Sequence, residues 1–246
     1  DEHWIGRIIA TINPQAGDTI VEIGPGQAAL TRHIIDAIGH ETAVEIDRDL
    51  AAWLQETFAD RLTLIEADAL KLDWQSVHPD KRLRVIGNLP YNISSPLLFH
   101  LMSVADRVID QHFMLQKEVV DRMVAQPGSK VYGRLSVMLQ YRYRMQKMFD
   151  VPPGAFTPAP KVTSSIVRMV PLPQEALLEV DAERFSSVVA AAFNQRRKTL
   201  RNALSKLLTQ EDIESVGIDP SVRAESLPVE AFVRLANIKV TTPGES

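Results

Sequence analysis

The segment Thr19-Ile20-Val21-Glu22-Ile23-Gly24-Pro25-Gly26 decides the fold of this 246-residue chain. A β-rich run of five residues leads into a glycine turn, and apolar residues then recur about every 3.6 positions over residues 28–38. This order predicts a strand, a tight turn and a helix. Glycines at such a turn let a ligand approach the backbone, and free N–H groups at the helix start favour anionic oxygens. We therefore expect a nucleotide-like cofactor beside Gly24 and Gly26.

Strand-like and helix-like segments continue to alternate after this turn. Further strands are predicted at residues 42–46, 62–65, 84–86 and 112–115, and helices at 50–58, 97–104 and 118–124. The alternation predicts a Rossmann-like α/β domain with a mostly parallel sheet and helices on both faces. Two later β segments, at 141–149 and 165–170, are expected to form an antiparallel edge.

The end of the chain has a different character, because only helices are predicted there, at residues 182–193, 199–208, 211–216 and 229–238. We place a domain boundary near residue 175. Residues 1–175 are expected to form the cofactor-binding catalytic domain, and residues 176–246 a small all-α domain.

Composition excludes several classes of site. The chain has no cysteine, and its six histidines show no paired metal-ligand spacing, so no metal is expected. No run of about 18 apolar residues is present, and the first residues lack the pattern of a signal peptide. These features predict a cytoplasmic protein without a membrane partner.

The net charge of −4 hides a strong asymmetry along the chain. Residues 1–100 carry 8 Lys and Arg against 15 Asp and Glu, whereas residues 111–210 carry 15 against 7. The basic half is where a polyanion would bind, and we expect phosphate contacts there. Solvated surface charges with helical salt bridges are the alternative interpretation. The residues predicted to contact RNA are Arg134, Lys161, Arg196, Arg197, Lys198 and Arg201.

Acidic residues follow the second and third predicted strands. Glu45 comes 21 positions after Gly24, where a carboxylate can accept from both ribose hydroxyls of a cofactor. Asp68, followed by Ala69, is placed to accept from the adenine amino group of the same cofactor. The glycine pattern alone does not separate a nicotinamide dinucleotide from S-adenosylmethionine. Helix caps or loop carboxylates are the structural alternative for Glu45 and Asp68.

The tetrapeptide Asn88-Leu89-Pro90-Tyr91 follows the fourth predicted strand and has a chemistry that fits an aromatic amine. Adenine N6 is a poor nucleophile, because its lone pair is delocalised into the ring. The Asn88 side-chain oxygen and the Leu89 carbonyl are placed to accept the two N6 hydrogens and favour the transition state. Tyr91 offers a ring on which the base can stack. A turn with a partly buried tyrosine is the alternative.

Several blocks give the chain a resemblance, along nearly its whole length, to the KsgA family of 16S ribosomal RNA adenine dimethyltransferases. They are residues 21–26, 45–47, 68–69, 87–94, 116–118, 132–136, 156–162 and 193–198. The resemblance implies S-adenosylmethionine as cofactor, contacted by Gly24, Gly26, Glu45, Asp68, Ala69 and Asn88. It also implies that Asn88, Leu89 and Tyr91 hold the adenine and that Phe156 caps its other face.

The substrate implied by the resemblance is a pair of adjacent adenosines in a loop near the 3′ end of 16S rRNA, within an assembling small ribosomal subunit. The small helical domain would then contact RNA or the ribosome. Members of the family usually carry a basic segment and a Phe-Gly-Gln-Asn-Phe-Leu-like stretch before this start, which helps to enclose the cofactor. We therefore expect weak cofactor binding and little turnover from the chain as it stands.

Three other functions remain open at this point. A 23S rRNA adenine methyltransferase of the erythromycin-resistance type shares the tetrapeptide and the fold. A mainly non-catalytic ribosome-assembly factor would use the same fold for binding alone. A nicotinamide-dependent dehydrogenase would use the glycine turn, but it would leave the tetrapeptide and the basic half without a role.

Overall fold

The computed structural model describes residues 1–155 and 159–239. The chain forms two compact units, one comprising Asp1–Val120 with Tyr143–Leu172 and the other Asp121–Arg142 with Pro173–Ser246. Each unit has a core of its own, and each is described separately.

A seven-stranded sheet forms the first unit, with the strand order β3-β2-β1-β4-β5-β7-β6. The neighbours from β3 to β5 pair in parallel, and β7 pairs antiparallel with both β5 and β6. The predicted α/β fold with an antiparallel edge is thereby confirmed. The strands are β1 (Thr19–Ile23), β2 (Glu41–Glu45), β3 (Leu62–Glu66), β4 (Leu83–Asn88), β5 (Val108–Gln116), β6 (Tyr143–Val151) and β7 (Ser164–Pro171).

The strand order reverses between β1 and β4, because β2 and β3 lie on one side of β1 while β4 and β5 lie on the other. In open α/β sheets, ligands bind beyond the carboxyl ends of the strands at such a switch point. The glycine turn follows β1 and the tetrapeptide begins at the last residue of β4. The topology therefore brings both motifs to the same edge of the sheet.

Helices connect the strands and build the second unit. They are α1 (Glu2–Ile12), α2 (Thr31–Ile38), α3 (Arg48–Phe58), α4 (Ser94–Leu101), α5 (Lys117–Val124), α6 (Arg134–Gln140), α7 (Ala182–Ala192), α8 (Leu200–Ala203), α9 (Gln210–Ser215) and α10 (Val229–Ala236). Within residues 1–155 and 159–239, none of the helices is long and apolar enough to cross a membrane.

Two of these helices, α1 and α6, were not predicted from the sequence, and α8 is much shorter than predicted. The helix predicted over residues 199–208 is regular only in α8. Beyond it the chain tightens into an i→i+3 turn, in which the Leu207 N–H donates to the Leu204 carbonyl at 2.8 Å.

The carboxyl end of α1 is held by two arginines of the sheet. Arg84 on β4, only 7% exposed, donates to the carbonyls of Ile12 and, at 3.2 Å, Asn13. Arg168 on β7 donates to the carbonyl of Thr11 at 2.8 Å. The last carbonyls of a helix lack intrahelical partners and carry partial negative charge, so cations stabilise them.

Two carboxylates compensate the buried charge of Arg84. Its Nε atom lies 2.9 Å from Asp110 Oδ1, and its Nη1 atom lies 2.8 Å from Asp18 Oδ2. Burial opposes the charged guanidinium, but these hydrogen bonds outweigh it and raise the pKa of Arg84 above its ordinary value. The cluster joins α1, the loop before β1, β4 and β5.

The core of the second unit includes residues that the sequence analysis assigned to the first domain. Tyr132 and Val137 are fully buried in the same apolar cluster as Phe185 and Phe232. The Tyr132 hydroxyl also donates to the Leu227 carbonyl at 2.7 Å. Residues 121–142 therefore pack with the C-terminal helices, although they precede the last strands in the sequence.

Replacing Arg84 by methionine should destabilise the first unit strongly. The substitution keeps an unbranched side chain about as long as the aliphatic stem of arginine, but it leaves Asp18 and Asp110 without their cation in a largely buried site. We expect a loss of about 3 to 5 kcal/mol in the free energy of unfolding, measured by urea denaturation. The matched control is Arg48→Met, because Arg48 is 92% exposed and lies 3.9 Å from Glu66. This control should cost less than about 1 kcal/mol; equal losses in the two variants would contradict the role of Arg84.

Candidate active site

The glycine turn after β1 presents bare backbone at the edge of the sheet. Gly24 and Gly26 have φ values of +63° and +55°, which strain any other residue. A Cβ atom added at either position would meet nothing within 4 Å, so the space in front of the turn is open. Behind it the packing is tight, because a Cβ on Gly87 would lie 2.8 Å from the Ile23 carbonyl oxygen. The turn is therefore fixed from behind and open to a ligand.

A cavity of about 490 Å³ opens in front of this turn. Gly24, Gly26 and Asn88 line it, as do apolar side chains of α1 such as Trp4 and Ile8. Three of the six residues predicted to bind the cofactor thus come together in one cavity. We call it the first cavity.

A buried carboxyl group, Glu22, also lines the first cavity, and the sequence analysis did not single it out as a site residue. Its Oε1 atom accepts from the Thr31 hydroxyl at 2.6 Å. Burial raises the pKa of Glu22 to about 7, with hydrogen bonds to Thr31 and Glu41 lowering it and the Glu45 charge raising it. Burial and the adjoining Glu22 also hold the pKa of Glu41 well above its ordinary range. Because Glu22 is near its point of half-ionisation at neutral pH, a cation in the cavity would favour its charged form.

The other predicted cofactor residues, Glu45, Asp68 and Ala69, do not line the first cavity. Glu45 Oε2 accepts from the Asp47 N–H at 3.1 Å, and Asp68 Oδ1 accepts from the Leu70 N–H at 3.0 Å. The Ala69 carbonyl accepts from the indole N–H of the buried Trp74 at 3.0 Å. Glu45 is the last residue of β2, and Asp68 and Ala69 lie just after β3, along the same sheet edge as the glycine turn.

Ile46 is a surface feature that the sequence analysis missed. It directly follows Glu45 and is 64% exposed, although it had been predicted as the last residue of the strand at 42–46. The strand ends one residue earlier, at Glu45, which leaves the Ile46 side chain in the open. The sequence did contain a signal, because an apolar residue directly follows the acidic residue at the strand end. Periodicity, however, does not locate the end of a strand to within one residue.

Backbone hydrogen bonds hold the tetrapeptide on both sides. The Leu89 N–H donates to the Met114 carbonyl at 3.1 Å, which continues the pairing of β4 with β5. The Pro90 carbonyl accepts from the Ile93 N–H at 3.2 Å, and the Tyr91 carbonyl accepts from the Ser94 hydroxyl at 3.1 Å. These hydrogen bonds fix the backbone of the turn on both sides of the Leu89 carbonyl.

Two acceptors of the tetrapeptide remain available to a ligand. No described residue donates a hydrogen bond to the Asn88 side-chain oxygen or to the Leu89 carbonyl oxygen. The Tyr91 ring is 71% exposed, which is unusual for a large aromatic side chain. An unpaired acceptor pair beside an exposed ring is an arrangement that can hold a planar base carrying an amine.

A second cavity, of about 650 Å³, lies on the other side of the tetrapeptide. Asn88, Leu89 and Tyr91 form one wall, and Gln116 and Lys161 belong to the remaining lining. Asn88 and Met114 line both cavities. A ligand in the first cavity and a base in the second would therefore meet at Asn88. Phe156, predicted to cap the base, lies outside the described residues.

The predicted RNA contacts fall into separate groups. Lys161 is exposed at the second cavity, and Arg134 and Arg196 line another cavity within the second unit. Arg197 and Lys198 are exposed. Arg201 is exposed as well, and its Nη1 atom lies 3.5 Å from the Gln210 side-chain oxygen. Within the described part of the chain, no group of three or more His, Asp or Glu residues is arranged to hold a metal ion.

Comparison with known proteins places this geometry in a family. The family model described as ribosomal RNA adenine dimethylase matches residues 1–240. The ribosomal RNA small subunit methyltransferase A of Aromatoleum aromaticum is 58% identical over 238 residues, which is 96% of this chain and 89% of the relative. The protein of the same name from Bordetella petrii is 56% identical, over 96% of this chain and 90% of the relative.

Solved structures agree with the fold. The structure of a dimethyladenosine transferase from Plasmodium falciparum superposes with a TM-score of 0.82 at 23% identity, covering 96% of this chain and 94% of that one. The 23S rRNA methyltransferase ErmE superposes with a TM-score of 0.72 at 26% identity, covering 96% of each chain. The resemblance inferred from the sequence blocks is confirmed, and the chain belongs to the ribosomal RNA adenine dimethylase family.

Proposed function

We propose that this protein transfers methyl groups from S-adenosylmethionine to the N6 amines of two adjacent adenosines near the 3′ end of 16S rRNA. The observation that carries the proposal is the position of Asn88, which lines the first cavity, assigned to the cofactor, and the second cavity, assigned to the base, at once. The relatives at 56% to 58% identity are named for the small subunit, whereas the 23S rRNA enzyme is 26% identical. This difference favours the small-subunit substrate.

The first cavity and the adjoining sheet edge fit the cofactor. The cofactor supplies an electrophilic methyl group on a positively charged sulfur. Gly24 and Gly26 give it access to the backbone, and the Glu22 carboxylate offers a counter-charge to its cationic groups. Outside this cavity, Glu45 is assigned to the ribose hydroxyls, and Asp68 with Ala69 to the adenine. The exposed Ile46 supplies an apolar surface for the adenine ring.

The tetrapeptide makes the target amine nucleophilic. When Asn88 Oδ1 and the Leu89 carbonyl each accept one N6 hydrogen, electron density returns to nitrogen and the partly positive transition state is stabilised over the planar ground state. No side chain needs to remove a proton first, because the methylated ammonium is acidic and loses its proton to water after the transfer. After one methyl transfer a single N6 hydrogen remains, so only one of the two acceptors is used in the second transfer.

Stacking and phosphate contacts hold the RNA. The exposed Tyr91 ring stacks on the extruded adenine, and Phe156 is assigned to the opposite face. Lys161 lies beside the same cavity, where it reaches the phosphate of the flipped nucleotide. Arg197, Lys198 and Arg201, which are exposed on the second unit, are assigned to further phosphate contacts. The substrate would be met in an assembling small subunit, in which the loop bases are still unpaired and inexpensive to splay out.

Truncating Asn88 tests the proposal directly. Asn88→Ala removes one of two acceptors aimed at the developing charge, and the loss of one such group typically lowers turnover about 100- to 1,000-fold. Methyl transfer to small subunits lacking the N6 methyl groups should be measured under single-turnover conditions. Asn202→Ala, on the exposed face of α8, is the control and should transfer normally. Undiminished transfer by Asn88→Ala would remove the proposed role.

The exposed ring of Tyr91 allows stacking to be separated from hydrogen bonding. Tyr91→Phe keeps the ring and should retain kcat/KM within about twofold. Tyr91→Ala should lose about 1 to 3 kcal/mol of base binding, roughly 5- to 150-fold in kcat/KM. Because the side chain is 71% exposed, the melting temperature should be the same in all three proteins. Equal losses in the two variants would show that the hydroxyl, and not the ring, is used.

The raised pKa of Glu22 predicts how cofactor affinity depends on pH. Cationic groups of the cofactor favour the ionised carboxyl, so the Kd for S-adenosylmethionine should rise as the pH falls through about 7.

The stability of the cofactor-free protein should depend on pH in the opposite sense, because a carboxyl with a raised pKa is buried more easily while it is protonated. The free energy of unfolding should therefore fall as the pH rises from about 4.5 to about 7.

Calorimetric titration at several pH values measures the affinity. Glu22→Gln is the control, because it removes the titration of Glu22 and retains the pH dependence that comes from the cofactor's own ionisation and from other groups such as Glu41. If the wild type and Glu22→Gln show parallel pH profiles, Glu22 has no electrostatic role in binding.

A further inference from the structure

A basic cavity of about 490 Å³ lies within the second unit, apart from the two cavities at the sheet edge. Four basic side chains line it, and no acidic side chain is found among the described residues of its lining. These four are Arg122, Lys130, Arg134 and Arg196. Like charges gathered in a concave surface create a positive potential that attracts an anion.

Arg196 has a different role from the other three. Its Nη1 atom donates to the Lys130 carbonyl, and its Nη2 atom donates to the Tyr132 carbonyl at 3.1 Å. The planar guanidinium presents its donors as a rigid fork, which suits two carbonyls that lie two residues apart. Two of its five N–H donors are therefore directed at the protein backbone. Arg196 ties down the segment that carries Lys130 and Arg134.

The same segment is anchored from inside the unit. The Tyr132 ring is fully buried, with its hydroxyl on the Leu227 carbonyl and its edge against the Phe193 ring, 6.1 Å between centroids. The Gly133 N–H donates to the Ser136 hydroxyl at 3.2 Å. Residues 130–134 are thus held from both sides.

Lys130 and Arg134 emerge from this held segment into the cavity. Both are exposed, and neither side chain has a hydrogen bond or ion pair with a described residue. Unpaired cations on a rigid backbone are preorganised for an anion, because little conformational freedom of the chain is lost on binding.

We infer that this cavity binds a phosphodiester group of the substrate RNA through Lys130 and Arg134, and that Arg196 is a positioning residue that shapes the cavity. The inference rests on the proposed function, since that function supplies the RNA. Guanidinium forks and ammonium groups are the usual partners of phosphate oxygens, and the cavity volume admits a phosphate with its neighbouring ribose. Arg196 and Arg197, adjacent in the sequence, then have separate roles: Arg196 holds the backbone and Arg197 contacts RNA directly.

Charge-preserving substitutions at the two adjacent arginines test this division. A lysine keeps the charge but lacks the planar fork that places a separate nitrogen at each carbonyl, so Arg196→Lys should weaken RNA binding about 5- to 10-fold. Arg197→Lys should weaken it less than about twofold, because a lysine still contacts a phosphate. The probe is the small ribosomal subunit lacking the N6 methyl groups, with Kd measured at several salt concentrations. If Arg196→Lys binds like the wild type, the positioning role is overturned.

A double-mutant cycle tests whether Arg196 acts through the cavity. Arg134→Gln and Lys130→Gln should each weaken binding and lower the slope of log K against log salt by about 1. The double variant Arg134→Gln/Arg196→Gln should bind RNA only slightly more weakly than the weaker-binding of its two single variants. In the double variant Arg134→Gln/Arg197→Gln, the losses of affinity of the two single variants should multiply. Multiplicative losses in both pairs would show that Arg196 contacts RNA independently.

The outcome does not depend on how the variants fold or on the catalytic proposal. Lys130 and Arg134 are exposed, so their substitution leaves the fold intact even if Arg196 variants melt early. If neither Lys130→Gln nor Arg134→Gln alters affinity or salt slope, the cavity is not a phosphate site. Methyl transfer by the wild type is measured on the same particles. Unchanged RNA affinity in both cavity variants, together with normal transfer by the wild type, refutes this inference alone. Absent transfer by the wild type, together with RNA binding that both cavity variants weaken, refutes the proposed function alone.

Discussion

The site depends on how the sheet holds the carboxyl end of α1. Arg84 and Arg168 donate to three consecutive carbonyls there, and α1 supplies the apolar wall of the first cavity. His112 supports this arrangement, because its Nε2 atom accepts from Arg168 Nε at 3.0 Å. Burial lowers the pKa of His112 to about 4, which the nearby Asp110 opposes and the two arginines reinforce. The imidazole is therefore neutral at physiological pH and remains an acceptor.

The two cavities meet where the topology reverses strand order. The cofactor is assigned to the bare glycine turn after β1 and the base to the tetrapeptide after β4, and β1 and β4 are direct neighbours in the sheet. Under the proposed function, a methyl donor and an amine acceptor would lie on neighbouring strands, and Asn88 lines both of the cavities assigned to them. In the proposed mechanism, preorganised acceptors at this position provide the electrostatic part of catalysis, and the exposed ring of Tyr91 provides affinity for the base.

The second unit shows why a basic motif in a sequence does not by itself define an RNA contact. Arg196, Arg197 and Lys198 are equivalent as charges, yet the Arg196 guanidinium faces carbonyls that lie more than 60 positions earlier in the chain. Residues 121–142 likewise belong to the second unit, where Tyr132 is buried in the same core as the C-terminal helices. Contacts between residues so far apart in the sequence produce no periodic pattern. The predicted domain boundary near residue 175 therefore did not assign residues 121–142 to the second unit.

Local patterns determined the strand β1, the glycine turn, the alternation that builds the parallel sheet and the place of the tetrapeptide at the end of β4. These features depend on backbone preference and short-range periodicity, which neighbouring residues encode. Only the tertiary structure decided that Glu22 lies in the first cavity while Glu45 and Asp68 remain outside it, that Ile46 is exposed, and that Arg196 holds backbone. Each of these features depends on burial or on hydrogen bonds between segments that are distant in the sequence. Such interactions form only when the chain packs.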